Sequence, residues 1–257
     1  DLVFTGVKDL ANSALDYKFY TYMNVGVEFP DLEEVSGVSA LYYAFANNFI
    51  TSISLPKLKT VSGVNSIYGA FSSNSSPLLT SVSLPELETV SGNGGLRSAF
   101  QTSVYLTSIS LPKLKTVTGT YGLYQLLALT KISTLSLPEL TTANAQYVMG
   151  FICQSCSLLE TVSMPKLSDI SGQTTLSGGF HGCPKLQHIY FNGLTTSSFG
   201  SNVNQFNNMF NSITGSTATG GCTVHFPSNL SSTIAGLTGY PTFGGSSSYI
   251  NLAFDLT

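Results

Sequence analysis

Hydrophobic residues recur along this chain at fixed distances from a proline. Pro30, Pro56, Pro85, Pro112, Pro138 and Pro165 stand 26, 29, 27, 26 and 27 residues apart, and Asn192 holds the same place 27 residues further on. The surrounding cores read ITSISLPKLKTVSG, LTSVSLPELETVSG, LTSISLPKLKTVTG, ISTLSLPELTT and LETVSMPKLSDISG. Self-similarity at such a period predicts a stack of structural repeats, here about seven. Apolar residues three before the proline (Val27, Ile53, Val82, Ile109, Leu135, Val162, Ile189) and one before it (Phe29, Leu55, Leu84, Leu111, Leu137, Met164, Phe191) alternate at period two. That alternation predicts the inward face of a short strand in every unit. Leu32, Leu58, Leu87, Leu114, Leu140 and Leu167 follow the proline, then Val35, Val61, Val90, Val117, Ala143 and Ile170, marking two more inward positions.

Seven residues past the origin stand Gly37, Gly63, Gly92, Gly119 and Gly172, with Ala145 the exception. Glycine there predicts a turn of positive φ. Beyond it come Leu41, Ile67, Leu96, Leu123, Met149 and Leu176, and four residues later Phe45, Phe71, Phe100 and Phe180. Spacings of three and four place these side chains on one face of a single helical or 3₁₀ turn. The expected fold is therefore a right-handed leucine-rich-repeat solenoid, with a parallel β-sheet on one face and short strands and single helical or 3₁₀ turns on the return side. Residues 1–24, with aromatic residues at Tyr17, Phe19, Tyr20 and Tyr22, read as an N-terminal cap; residues 25–215 hold the repeats, and residues 216–257, with the strand-like CTVHFPSNL and YINLAF, read as a C-terminal cap.

The pattern L-x-x-I-x-L-P followed by A-F-x-x-C/N-x-x-L, seen in YYAFANNFITSISLP and HGCPKLQHIYF, resembles the BspA-like leucine-rich repeats of bacterial cell-surface proteins over residues 25–215. These units are longer than that family's usual repeat, the extra residues falling around the return. The resemblance implies adhesion or recognition at a cell surface and carries no catalytic residues.

Only 9% of the residues are charged, against roughly 25% in an average globular protein, so Ser, Thr, Asn and Gly must supply the polar surface. A net charge of −3 offers no basic field for nucleic acid or anionic lipid. No apolar run approaches the roughly 20 residues of a membrane span, and the chain opens at Asp1 without an initiator Met or a charged-then-apolar leader, which reads as a processed start. This composition points to an extracellular or surface-displayed protein.

Asp31, Lys57, Glu86, Lys113, Glu139 and Lys166 follow the prolines in alternating sign, and Glu33, Lys59, Glu88 and Lys115 alternate two residues later. At a coil spacing of about 4.8 Å each charge is expected to meet its opposite above and below, a register device and not an acid–base pair. Cys153 and Cys156 form a C-x-x-C, but Cys156 and Cys183 occupy the place held elsewhere by Asn47, Ser76 and Ser103, so buried small side chains are expected before a Cys156–Cys183 disulfide or a metal site. His181, His188 and His225 show no ligand spacing. No catalytic residue, metal or cofactor is predicted.

Two places offer something to grip. Ser and Thr line the outward strand face until His188 and Tyr190 break the pattern, with Asn192 replacing proline and His225 in the following strand. Tyr42, Tyr68, Arg97 and Tyr124 form an exposed aromatic column suited to sugar rings or a protein partner. The expected function is non-enzymatic binding or adhesion to a protein partner, with glycan recognition through exposed tyrosines or a structural stalk as alternatives.

Overall fold

A computed structural model describes residues 1–20, 23–210, 221–243 and 250–256. The chain winds as a parallel β-solenoid of about nine turns with almost no helix. Its main face carries one short strand per turn: Leu2–Val3, Asn24–Glu28, Phe49–Ser54, Ser81–Ser83, Ser108–Ser110, Thr134–Ser136, Thr161–Ser163, His188–Tyr190, Cys222–Pro227 and Ile250–Leu256. A second parallel sheet joins the two-residue strands Glu34–Val35, Thr60–Val61, Thr89–Val90, Thr116–Val117 and Thr142–Ala143. Each ends on the inward residue that follows the proline by five.

The apolar ladders line the interior. Every inward position named above is buried except Ile53 and Ile109, which are half-buried. Those two lie where pairing in the main sheet is interrupted, after Phe49–Ser54 and after Ser108–Ser110. The first break coincides with the longest repeat. There the Asn74 side chain stands in for a backbone partner, accepting from the Ile50 N–H at 3.0 Å and donating to the Ile50 carbonyl at 3.0 Å.

The return side is not the helical or 3₁₀ turn that the spacing predicts. It is a run of consecutive turns with a four-residue period, in which Ser39, Tyr43 and Asn47, and their equivalents in other coils, adopt positive φ. Alternate N–H groups reach the next coil: those of Leu41, Tyr43 and Phe45 donate to Ser66, Tyr68 and Ala70. The intervening N–H groups of Tyr42, Ala44 and Ala46 turn back to the carbonyls three residues earlier. A left-handed non-glycine residue costs about 1–2 kcal/mol, and this arrangement offsets it by satisfying the backbone donors without a helix. Side chains four apart, such as Leu41 and Phe45, then share the inward side, and the phenylalanine rings stack coil on coil, Phe45 on Phe71 at 5.5 Å and Phe71 on Phe100 at 5.7 Å.

The glycine column also differs from expectation. Gly37, Gly63, Gly92, Gly119 and Gly172 do not have positive φ. They are needed because successive coils approach too closely for a side chain: a Cβ on Gly172 would lie 2.5 Å from the Ala145 carbonyl oxygen, and one on Gly119 would lie 2.5 Å from the Gly92 carbonyl carbon.

A buried hydrogen-bonding column closes the corner that leads back to the main sheet. Asn48, Ser103, Cys156 and Cys183 donate from their side chains to the carbonyls of Phe19, Phe71, Leu127 and Cys153 in the preceding coil. The cysteines therefore do the work of an asparagine or serine, and in the second coil the residue that makes this bond is Asn48, not Asn47. All four cysteines are buried free thiols. Burial holds Cys153 and Cys183 well above the usual thiol range and pushes Cys222 up to about 12.

The charged columns resolve into pairs. Lys57, Lys113 and Lys166 bind Asp31, Glu86 and Glu139 of the preceding coil at 2.8, 2.7 and 2.7 Å; Lys115 binds Glu88 at 3.0 Å and Lys59 approaches Glu33 at 3.6 Å. Among the described residues no lysine also bridges to the acid of the following coil, so the continuous ladder expected from the alternation is absent. A lysine satisfied at such distances by one carboxylate leans toward it and away from the other.

At the N-terminal end the described residues of the expected cap follow the path of a coil. Leu2–Val3 pairs with Val27–Glu28, and the N–H groups of Ser13, Leu15, Tyr17 and Phe19 donate to the next coil. At the other end Cys222–Pro227 and Ile250–Leu256 extend the main sheet, with the short helix Ser231–Ala235 between them. Tyr22 and most of the glycine-rich segment at 215–221 lie outside the described residues. Among those described, no helix is long and apolar enough to cross a membrane.

Candidate functional site

The outward face of the main sheet is built from two columns of side chains two residues apart. One runs Thr134, Thr161, His188, Thr223; the other runs Ser136, Ser163, Tyr190, His225. Strand alternation turns all of them outward because Leu135, Val162, Ile189 and Val224 between them point into the core. The hydroxyl surface thus gives way, over two adjacent strands, to three rings.

Those rings form one cluster. Tyr190 and His225 stack at 4.5 Å with planes 13° apart, as neighbouring coils in register allow. His188 Nδ1 lies 3.2 Å from His225 Nε2. On its other side His225 Nδ1 lies 2.9 and 3.0 Å from the two carboxylate oxygens of Asp255 on the last strand. A carboxylate is acceptor only, so His225 carries its proton on Nδ1 and aims its Nε2 at His188. His225 is 14% exposed and Asp255 53%. His188 and Tyr190 are half-buried against these neighbours, and Ile250–Leu256 continues the sheet beyond them instead of folding over them. Asn192 is exposed at the corner past the strand and makes no hydrogen bond to the cluster. Asp255 carries no sequence signal: it follows the last strand's repeat pattern at a place where no proline marks the origin.

The second candidate is larger than its sequence column, and Tyr42, Tyr68, Arg97 and Tyr124 are half-buried where the sequence reading expected them exposed. Tyr42 and Tyr68 meet edge to face at 5.1 Å, and the Arg97 guanidinium lies 4.9, 5.1 and 5.2 Å from the rings of Tyr68, Tyr121 and Tyr124. Tyr17, Tyr43, Tyr147 and Phe151 extend this into two groups of touching rings along the return side, joined through Arg97. Gly69 and Gly178, at φ +61° and +64°, leave the space that the Tyr43 and Phe151 rings cover. Burial, aided by its bond to Tyr68, raises the Tyr43 hydroxyl well above its ordinary value; burial also raises Tyr124, with the Arg97 charge acting the other way. These added rings escaped the sequence reading because they stand in neighbouring columns, which the four-residue turns bring together.

Among the described residues no serine or threonine hydroxyl hydrogen-bonds to His188 or His225, so the nucleophile–base contact of a hydrolytic triad is not formed there. Nor is there a group of three or more His, Cys, Asp or Glu side chains placed around one metal ion. Comparison of the sequence with protein-family models finds none that matches, and comparison with curated proteins finds no significant match.

Proposed function

We propose that this chain is a non-enzymatic binding and adhesion domain of an extracellular or cell-surface protein, a right-handed solenoid of leucine-rich-repeat kind related to the BspA-like repeats, which presents its outward sheet face to a protein partner. The observation that carries this reading is the cluster of His188, Tyr190 and His225, interrupting a face otherwise made of small hydroxyl side chains. Flat, uncharged hydroxyl columns offer a partner little differential energy, whereas aromatic anchors dominate interface energetics. Mounted on hydrogen-bonded strands, they lose little freedom on binding. The charge-poor, hydroxyl-rich surface supports display outside the cell.

A second reading, recognition of an extended glycan, rests on the aromatic ridge from Tyr17 to Phe151, whose rings, half-buried beyond Tyr17, and cation at Arg97 suit stacking on sugars. The two are separated by probing protein and glycan arrays with the full chain. Protein capture lost on Tyr190→Ser but kept on Tyr42→Ser/Tyr124→Ser supports the first reading. Glycan capture with the opposite dependence moves the function to the ridge. Absence of saturable binding on both arrays, or turnover of a bound probe, overturns the proposal.

A further inference from the structure

We infer that His188 and His225 form a binding site for one borderline divalent cation of the zinc or copper type, with Asp255 as the outer carboxylate that orients His225. The inference does not depend on the adhesion reading, since it needs no partner and rests on the geometry of three side chains.

Two imidazole nitrogens bound to a single tetrahedral ion at 2.0–2.1 Å lie about 3.3 Å from each other. His188 Nδ1 and His225 Nε2 are already 3.2 Å apart. The pair is held at the separation of two ligands before any ion arrives, and the strands His188–Tyr190 and Cys222–Pro227 that carry it are hydrogen-bonded neighbours. The far nitrogen of His225 is bonded to Asp255 at 2.9 Å. A carboxylate in that position is the usual companion of a metal-binding histidine: it fixes the tautomer and makes the inner nitrogen a better donor. Tyr190, stacked at 4.5 Å, holds the ring against rotation.

Without an ion the two nitrogens share one proton. His188 donates from Nδ1 and His225 accepts at Nε2, because the other His225 nitrogen is committed to Asp255. Binding requires the His188 proton to move from Nδ1 to its outer Nε2, leaving both inner lone pairs for the ion and releasing no net proton from neutral imidazoles. Among the described residues no third His, Cys, Asp or Glu side chain joins the pair around one point. The site inferred is one whose remaining coordination positions are filled by water, unlike a closed structural site. Imidazole nitrogen selects zinc, copper or nickel over magnesium and calcium, which take oxygen.

The test titrates the full chain with Zn²⁺ and with Cu²⁺ alone, followed by calorimetry, with an electron paramagnetic resonance spectrum of the Cu²⁺ form. One saturable ion per chain and a copper signal split by two nitrogens are expected. His188→Gln and His225→Gln should each weaken binding at least tenfold, Asp255→Asn about 10–100-fold, and His181→Ala should leave it unchanged. No saturable binding at millimolar metal overturns the inference, as does equal affinity in folded His188→Gln and His225→Gln variants. If those variants do not fold, the copper spectrum of the unaltered chain decides: a sulfur-ligated or nitrogen-free signal refutes the site.

Discussion

Replacing Gly119 with alanine tests why the glycine column exists. Its added Cβ would lie 2.5 Å from the Gly92 carbonyl carbon, whereas ordinary contact begins at 3.4 Å. The neighbour is backbone, so no side chain can swing aside, and the coils must part locally by about 1 Å. Three bonds tie them at that point: Thr118 N–H to the Val90 carbonyl at 3.0 Å, Gly94 N–H to the Thr120 carbonyl at 2.7 Å, and Thr120 N–H to the Asn93 side chain at 3.0 Å. At about 1 kcal/mol net for each bond weakened, the expected loss is on the order of 3 kcal/mol, at the upper end of what overpacking usually costs. Urea denaturation followed by circular dichroism measures it. Asparagine, which tolerates positive φ, separates the two possible roles of the glycine. At Gly182, with φ +70°, Gly182→Asn should be milder than Gly182→Ala; at Gly119, Asn should be no milder than Ala. A Gly119→Ala loss below about 1 kcal/mol, or rescue by Gly119→Asn, would refute the close-approach argument.

Phe100, 1% exposed and stacked on Phe71 at 5.7 Å, should cost about 3–5 kcal/mol when cut to alanine; a loss under about 1 kcal/mol in the same assay would mean that its ring does not support the neighbouring coils. Cys183→Ser should keep most of the stability, because a hydroxyl can donate to the Cys153 carbonyl as the thiol does, whereas Cys183→Val should destabilise by about 1–3 kcal/mol; the reverse order would contradict a hydrogen-bonding role. Asp31 and Glu88 are held below their ordinary values first by their lysine hydrogen bonds. Burial pushes Asp9 and Asp169 upward, but hydrogen bonds from Ser36 and Ser171 bring both net below the usual range. Groups with depressed folded pKa values add stability that is fully present above about pH 4–5 and lost as pH falls through the folded values, so the urea midpoint should drop on acidification from pH 5 to 2. A midpoint unchanged over that interval would show that these contacts do not persist in solution.

The repeat length, the inward ladders and the solenoid itself were legible in the amino-acid sequence because every coil must bury the same positions against its neighbours, so one physical requirement is written many times. The return side was not. A four-residue turn and a 3.6-residue helix both place Leu41 and Phe45 on one side, and only the hydrogen bonds that leave Leu41, Tyr43 and Phe45 for the next coil tell them apart. Gly119 likewise reads as a turn residue until the Gly92 carbonyl is seen above it. Alternating signs suggested a continuous charge ladder, but a lysine side chain can lean only one way, and each chose the coil before it. The rings at His188, Tyr190 and His225 announced themselves as a break in a hydroxyl pattern. Their convergence, and the carboxylate of Asp255 behind them, did not, because these residues meet across coils 30 and 37 positions apart. Periodicity determines which residues face inward; which outward side chains touch depends on the register and lean of neighbouring coils, and only the folded stack decides that.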